Sequence, residues 1–411
     1  LSPALVLLTL VSFTQDLASE LLYPLLPIFL TGVLAAPALV VGLVEGVAVA
    51  AAGLSRYVAG RWSDGRRRKP FILTGYGMAA LGKVVVAAAT VWPMVLAGRV
   101  VDRLGKGVRS APRDALIAAS TSDEHMGRAF GFHRMGDSLG AVIGPLIGLL
   151  ALAVHGDDVR AAMWWAVVPA CVSTGLVLFL RERGAGGTAN DTARSGTTTS
   201  HASATLPTPP AVEPVSRSAR PPLPPGFWRV ALPLTVIALV NFSDALLLLR
   251  LVALGFSTTE VVLAYVLFNA VYTLGSYPAG AWADRRHPST VYAAGLAAFA
   301  LAYVGLGLVG DGSAVAVVLV GLYGLFPALT DGVGKAWVVS LVDRAHVGRA
   351  QGAFQGLYNG AVLVAGVWAG LLWNVGSGDG RVPLVVSGSI AAVGVVWMMV
   401  GPLRRSGGVA P

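Results

Sequence analysis

The chain has 411 residues, of which 55% are hydrophobic and only 12% charged, with a mean hydropathy of +0.70. Soluble domains carry about 25% charged residues, so a water-soluble globular protein is excluded: too little polar surface exists to cover so much apolar chain. The net charge of +9 would suit a nucleic-acid binder, but here it reads as arginine and lysine gathered in loops on one side of a bilayer; no nucleic-acid partner is expected.

Apolar runs of about 18 residues or more, enough to cross a bilayer, recur from end to end. Six spans are predicted in the first half, at about 4–31, 37–60, 70–90, 92–118, 126–153 and 161–181. Six more are predicted at about 229–253, 259–282, 289–309, 313–341, 348–374 and 382–403. Between them, residues 184–226 are rich in Ser, Thr, Pro, Ala and Gly without helical period, the composition of a disordered cytoplasmic linker. The chain therefore divides into a six-helix bundle over 1–183, the linker, and a second bundle over 227–411. The first run is long and contains acids, so no cleavable signal peptide is expected. Cys171, the single cysteine, sits in an apolar run and can form no internal disulfide.

The two halves are copies of one unit. Tyr57–Asp64 reads YVAGRWSD, and Tyr277–Asp284 reads YPAGAWAD, with Asp284 lying 220 positions beyond Asp64. Gly127-Arg128-Ala129 returns as Gly348-Arg349-Ala350, 221 positions on. Two markers at nearly one displacement indicate duplication.

Loop charges orient the chain. Arg61, Arg66, Arg67, Arg68 and Lys69 lie between spans 2 and 3, and Arg181, Arg183, Arg194, Arg217 and Arg220 in or beside the linker. Arg285, Arg286, Arg344, Arg404 and Arg405 fall on the same side, whereas the 1–2 and 3–4 connections are uncharged. Both termini are expected in the cytoplasm, with the protein multi-pass in the plasma (inner) membrane.

After span 2 the pattern G-x-L-A-D-R-x-G-R-K is met by Gly60, Asp64, Arg68 and Lys69, with Gly65 and Arg67 departing from it. After span 8 it is met by Gly280, Ala283, Asp284 and Arg285. In span 5, Gly131, Gly140, Gly144, Pro145 and Gly148 fit G-x8-G-x3-G-P-x2-G, with Leu149 where a further glycine would stand. In span 4, Arg99, Gly105 and Gly107 partly fit R-x3-G-x-G, with Arg103 at the first glycine position. With six plus six spans, these signatures resemble the major facilitator superfamily. The resemblance implies an all-α integral membrane fold of twelve transmembrane helices in two pseudo-symmetric bundles. It also implies Asp64 and Asp284 as cytoplasmic latches, and an exporter working by antiport from the span 5 pattern.

Charges at membrane depth are costly and usually line a cavity or pair with one another. In span 1, Ser12, Asp16, Ser19, Glu20 and Tyr23 share a face; two carboxylates one turn apart disfavour double ionisation. Span 4 opposes them with Arg99, Asp102, Arg103, Lys106, Arg109 and Arg113. Span 5 adds His133, Arg134 and Asp137, span 2 Glu45 and Arg56, and span 3 Lys83. Internal pairing is expected to absorb about half of these, Arg109, Arg113 and Asp114 first; Asp16, Glu20, Arg103 and Asp137 are expected to face the pathway. The second half is mostly neutral: Tyr265, Asn269, Tyr272 and Ser276 in span 8, and Gln351, Gln355, Tyr358 and Asn359 in span 11. Asn241 and Asp244 share a face of span 7 near the midplane, where transporter sites lie. Arg250, Asp331 and Lys335 complete its buried charges.

The expected function is secondary transport of a small solute by alternating access, as a proton-coupled exporter. A proton-coupled importer and a divalent metal ion exporter are the alternatives; the latter would draw on His133, Asp16, Glu20 and Asp137. No resident metal and no cofactor are expected. No phosphate-cradling G-x4-G-K-[ST] loop occurs, and no nucleophile stands beside a base at motif spacing, so an enzyme is not expected. The expected partners are the solute, protons and the bilayer, with the protein monomeric.

Overall fold

Ser2 begins the first helix: its hydroxyl accepts from the Leu5 N–H at 3.2 Å, and Pro3, which has no N–H to leave unpaired, occupies the first turn. The structure, a computed structural model, describes residues 2–63, 67–121, 126–180, 223–283, 285–342 and 347–401. Twelve spans result. α1 runs Pro3–Leu22, is interrupted at Pro24, and continues as Leu25–Ile28 and a π-helical turn, Phe29–Val33. α2 is Ala38–Ser63, α3 Arg68–Ala87, α4 Trp92–Ala119 and α5 Met126–Val154; α6 is split into Val159–Trp164 and Val167–Leu178. In the second half α7 is split into Pro225–Ala238 and Asp244–Ala253, and α8 is Thr258–Ala283. α9 is Pro288–Leu308, α10 is split into Val315–Tyr323 and Leu325–Ser340, α11 is Val347–Leu371 and α12 Arg381–Val400.

The bounds follow the predicted spans, but the predicted single runs at spans 1, 6, 7 and 10 are broken. In α7 the break holds polar side chains that compete for backbone groups. The Ser243 hydroxyl caps the second piece by accepting from the Ala245 N–H, and Trp368 Nε1 donates to the freed Leu239 carbonyl at 2.8 Å. In α10 the break is at Gly324, where a Cβ would stand 2.7 Å from the Phe268 carbonyl oxygen of α8. Pro225 and Gly226, assigned to the linker from composition, are the first helical residues of α7; the linker up to residue 222 lies outside the described residues.

Helix pairings repeat between the halves. α1 packs on α5 as α7 does on α11; α2 on α4 as α8 on α10; α3 on α4 as α9 on α10; and α3 on α6 as α9 on α12. The halves meet where α2 lies along α11 and α5 against α8, two contacts that the duplication makes equivalent. Small residues let the backbones touch there: a Cβ on Gly42 would stand 2.2 Å from the Gly366 carbonyl oxygen. The peripheral helices α3, α6, α9 and α12 turn Leu81, Val168, Leu301 and Val393 outward, an apolar surface fit for lipid. Among the described residues, nine spans are long and apolar enough to cross a membrane unaided. Of the other three, α4 carries a charged stripe, α7 is broken, and α11 carries Gln355 and Asn359.

At the end of the membrane-crossing part of α7, Arg250 is fully buried and donates to the carbonyls of Leu306, at 3.1 Å, and Asp379, at 3.0 Å. It also pairs with the Asp379 carboxylate at 2.6 Å, fastening the α11–α12 loop. Partial burial pushes the Asp379 carboxyl up, but hydrogen bonds from Ser377, Arg250 and the Arg381 N–H outweigh it and hold the pKa at about 2. A folded value below the ordinary one of about 3.9 gives stabilisation that is complete at neutral pH and is lost as pH falls through the folded value. Asp379→Asn should therefore lower stability by about 1–3 kcal/mol near pH 7. In thermal unfolding of the detergent-solubilised protein, the gap to wild type should narrow below about pH 4. A gap constant down to pH 3 would mean that the carboxylate charge is not what holds the loop.

Candidate substrate pathway

The charges of α4 are divided between an internal network and a central set. Arg99 forks onto Glu45 of α2: Nε donates to Oε1 at 2.9 Å, and Nη2 to Oε1 and Oε2 at 2.6 and 2.8 Å. Each is 2% exposed. Asp102, one turn along α4, lies 3.7 Å from Arg99 Nη1 and accepts from Lys83 Nζ of α3 at 3.0 Å. The result is a buried chain, Glu45–Arg99–Asp102–Lys83, across three helices with two charges of each sign. Toward the termini, Arg113 donates to Ser12 at 3.0 Å and pairs with Asp114 at 2.9 Å, while Arg109 lies over the Tyr76 ring at 4.4 Å. Arg99 and Asp102 are thus placed in internal ion pairs, and Arg109, Arg113 and Asp114 likewise have contacts inside the first half.

Asp16 and Glu20 on α1, with Arg103 and Lys106 on α4, remain. Glu20 lies within electrostatic reach of Asp16, Lys106 and Arg103, and Lys106 within reach of both acids. Among the described residues neither Arg103 nor Lys106 forms an ion pair within 4 Å, and Arg103 Nε is buried without a hydrogen-bond partner. On α5, His133 Nε2 is 3.8 Å from Asp137 Oδ1; the side chain of Arg134 lies outside the described residues.

Glu20 also reaches the other half, for the Tyr265 hydroxyl of α8 donates to its Oε2 at 2.6 Å. One turn on, the Tyr23 hydroxyl meets the Ser243 hydroxyl in the break of α7 at 3.2 Å, and the Tyr23 and Tyr265 rings lie 5.3 Å apart. The second half continues this line. Tyr323 donates to Asp244 Oδ1 at 2.7 Å, Asn241 Nδ2 donates to the Tyr358 hydroxyl at 3.2 Å, and Tyr272 donates to Asp331 Oδ2 at 3.2 Å. Phe268 stacks between Tyr265 and Tyr323, at 5.7 and 5.3 Å. Glu20, Tyr23, Asn241 and Asp244 thus stand beside the breaks in α1 and α7, and Glu20 and Tyr23 reach across the seam between the halves. Sequence reading placed Tyr265 and Tyr358 on polar stripes but did not single out Tyr323, whose neighbours are all apolar.

Of the loop signatures, Asp64 and Asp284 lie outside the described residues, as do the surroundings of Gly60 and Gly131. Arg68 donates to the Ala115 carbonyl near the end of α4 at 2.8 Å, and Lys69 to the Leu178 carbonyl at the end of α6 at 2.7 Å. Arg285 follows α8 at the surface, and a Cβ on Gly280 would meet nothing within 4 Å. On α5, Gly140 and Gly144 let α1 approach: a Cβ on either would stand 2.9 and 2.6 Å from backbone atoms of Leu17. Gly148 sits beside Leu21, and Pro145 lies inside the helix.

A family model described as Major Facilitator Superfamily matches residues 8–252 and 230–411. An uncharacterized MFS-type transporter of Methanocaldococcus jannaschii is 26% identical over 382 residues, 91% of this chain and 89% of that one. A multidrug resistance protein, MdtH, of Photorhabdus laumondii is 36% identical over 156 residues, 35% of this chain and 38% of that one. A crystal structure of the nucleoside transporter NupG superposes with a TM-score of 0.72 at 13% identity, covering 97% of this chain and 98% of that one. An inward-facing bacterial homologue of the lysosomal transporter Spinster superposes with a TM-score of 0.70 at 16% identity, covering 98% and 96%.

The ion-pair chain makes a stability prediction. Glu45→Gln removes the bidentate partner of the buried Arg99 guanidinium, leaves it only Asp102 at 3.7 Å, which Lys83 already shares, and should cost about 2–4 kcal/mol. Glu45→Met combined with Arg99→Met removes both charges, leaves Lys83–Asp102 paired, and should recover most of that loss. Thermal unfolding of the solubilised variants reads both; a double variant no more stable than the single one would refute the account.

Proposed function

The chain belongs to the Major Facilitator Superfamily, a family of secondary transporters, and within it we propose a proton-coupled exporter that moves a small solute across the plasma (inner) membrane by antiport. The observation that carries the proposal is the position of Glu20. It is a carboxylate in mid-span, beside a second acid and two cations that form no ion pair within 4 Å among the described residues, and it is hydrogen-bonded across the seam by Tyr265. Adding a proton to Glu20 removes the charge that Arg103 and Lys106 balance and weakens the charge-assisted bond from Tyr265. One event therefore changes both the electrostatics of the central cavity and a contact between the halves. Asp16 and Asp137 extend the acid set toward the termini, and Asn241 and Asp244 supply polar groups from the other half. In this reading Arg99 and Asp102 hold the first half rigid. The loops of Asp64 and Asp284 are proposed as latches on the cytoplasmic side, where both termini are placed.

Export is supported by the glycine–proline pattern of α5 and by similarity over part of the chain to proteins named for multidrug resistance. Divalent metal ion export is disfavoured by Arg103 and Lys106, whose charges stand beside Asp16 and Glu20 and oppose a dication there.

Proteoliposomes holding a trapped pH dye test the reading. Substrate addition should move protons opposite to the solute in wild type, and Glu20→Gln should abolish that movement while leaving solute-for-solute exchange intact. Protons running with the solute would make the protein an importer or symporter. Undiminished proton movement in Glu20→Gln would remove Glu20 from the coupling step.

A further inference from the structure

A cavity of about 220 Å³ lies inside the second half, lined by residues that include Tyr292 of α9, Asp331 and Lys335 of α10, and Gln355, Tyr358 and Asn359 of α11. It borders the seam between the halves, since a Cβ on Gly53 of α2 would stand 2.9 Å from Asn359 Nδ2. Opposite charges one helical turn apart ordinarily pair. Here, among the described residues, no ion pair within 4 Å joins Asp331 and Lys335. Asp331 Oδ2 accepts instead from Tyr272, and among the described residues the Lys335 ammonium has no hydrogen-bond or ion-pair partner. Both side chains are half-buried, and a carboxylate and an ammonium held apart on one cavity wall offer complementary charges to a solute that carries both.

We propose that this cavity binds a small zwitterionic solute, with its cationic end on Asp331, its anionic end on Lys335 and its body against Tyr292 and Tyr358. A simple cation would leave Lys335 uncompensated, and a simple anion would leave Asp331 so. Tyr358 already accepts from Asn241, so its own proton is available to a ligand acceptor, and the Gln355 and Asn359 amides offer donors and acceptors along the solute. The volume is below the about 300–1,000 Å³ typical of drug-sized pockets, which restricts the solute to a compact molecule. The role of such binding in transport rests on the functional reading above; the binding itself is an equilibrium property that depends on neither proton coupling nor direction.

The test is thermal unfolding of the purified full chain in detergent with ω-amino acids from glycine to 6-aminohexanoate and with 4-(aminomethyl)benzoate. Each probe is compared with its N-acetyl form, which keeps only the anion, and its carboxamide, which keeps only the cation. Zwitterions of one favoured length should raise the midpoint, and either capped form should bind about tenfold or more weakly. Lys335→Met should erase the preference over the carboxamide, and Asp331→Asn the preference over the N-acetyl form. Exchanging the two charges (Asp331→Lys with Lys335→Asp) should restore the preference for zwitterions. A shift by none of the probes, equal shifts by capped and uncapped forms, or single variants that keep the wild-type preference would overturn the proposal. Zwitterion binding retained by a Glu20→Gln protein that has lost proton movement would separate this site from the coupling step.

Discussion

The architecture depends on how α4 is made tolerable in a membrane. A charged side chain at the centre of a span costs about 2.5–3.5 kcal/mol even on insertion scales, and α4 places Arg99, Asp102, Arg103 and Lys106 within three turns. The fork of Arg99 onto Glu45 and the bond of Lys83 to Asp102 neutralise two of the four in place. Against apolar residues of equal size, such buried pairs are often neutral in stability, so their contribution here is geometric. A bidentate fork fixes α2 against α4, and the lysine fixes α3 against α4. The rigid wall that results can hold Arg103 and Lys106 toward the acids of α1 without either forming an ion pair within 4 Å among the described residues.

Duplication gave both halves the same helix pairings but not the same chemistry. The first half is built around charges, and the second around a line of tyrosines and phenylalanines, the hydroxyls of Tyr265, Tyr323 and Tyr272 reaching Glu20, Asp244 and Asp331. Between the halves, Gly42 and Gly366 bring backbone against backbone, a contact that can slide or tilt without first separating an ion pair. The named polar links across the seam are Tyr265 to Glu20 and Tyr23 to Ser243, each worth about 0.5–3 kcal/mol. A seam of this kind suits two rigid bodies that change their mutual tilt at small cost, which is what alternating access demands.

How much of this could be read in the chain depends on the range of the interactions. The spans were legible nearly to their ends because each needs some twenty apolar residues and little else, and the duplication was legible from short matched stretches. The breaks in α7 and α10 were not, since Leu239 finds Trp368 and Gly324 finds Phe268 only after folding. The stripes of charge were visible as stripes, but Glu45 and Arg99 are 54 positions apart, and helical spacing cannot say which side chain on one helix meets which on another. Tyr323 stayed hidden for a simpler reason: a tyrosine in an apolar run reads as core until an acid is found at its hydroxyl. The loop signatures at Asp64 and Asp284 were legible as sequence patterns and fall outside the described residues.

A ligand shifts a conformational equilibrium only by the difference between its affinities for the two states. For a proton to drive transport, the group that takes it must have surroundings that differ between those states. A carboxylate sealed within one rigid half, such as Glu45 on Arg99, keeps its surroundings when the halves move. Glu20 does not, because one of its oxygens is held by Tyr265 of the opposite half. Tilting the halves apart at this point removes a donor from the carboxylate and leaves it to Arg103, Lys106 and Asp16. Asp244 stands in a related position: its partner Tyr323 belongs to its own half, but it follows Ser243, which meets Tyr23 across the seam. Of the acids at membrane depth, then, the strongest candidate for coupling is the one that combines the central charge set with the moving contact, and that acid is Glu20.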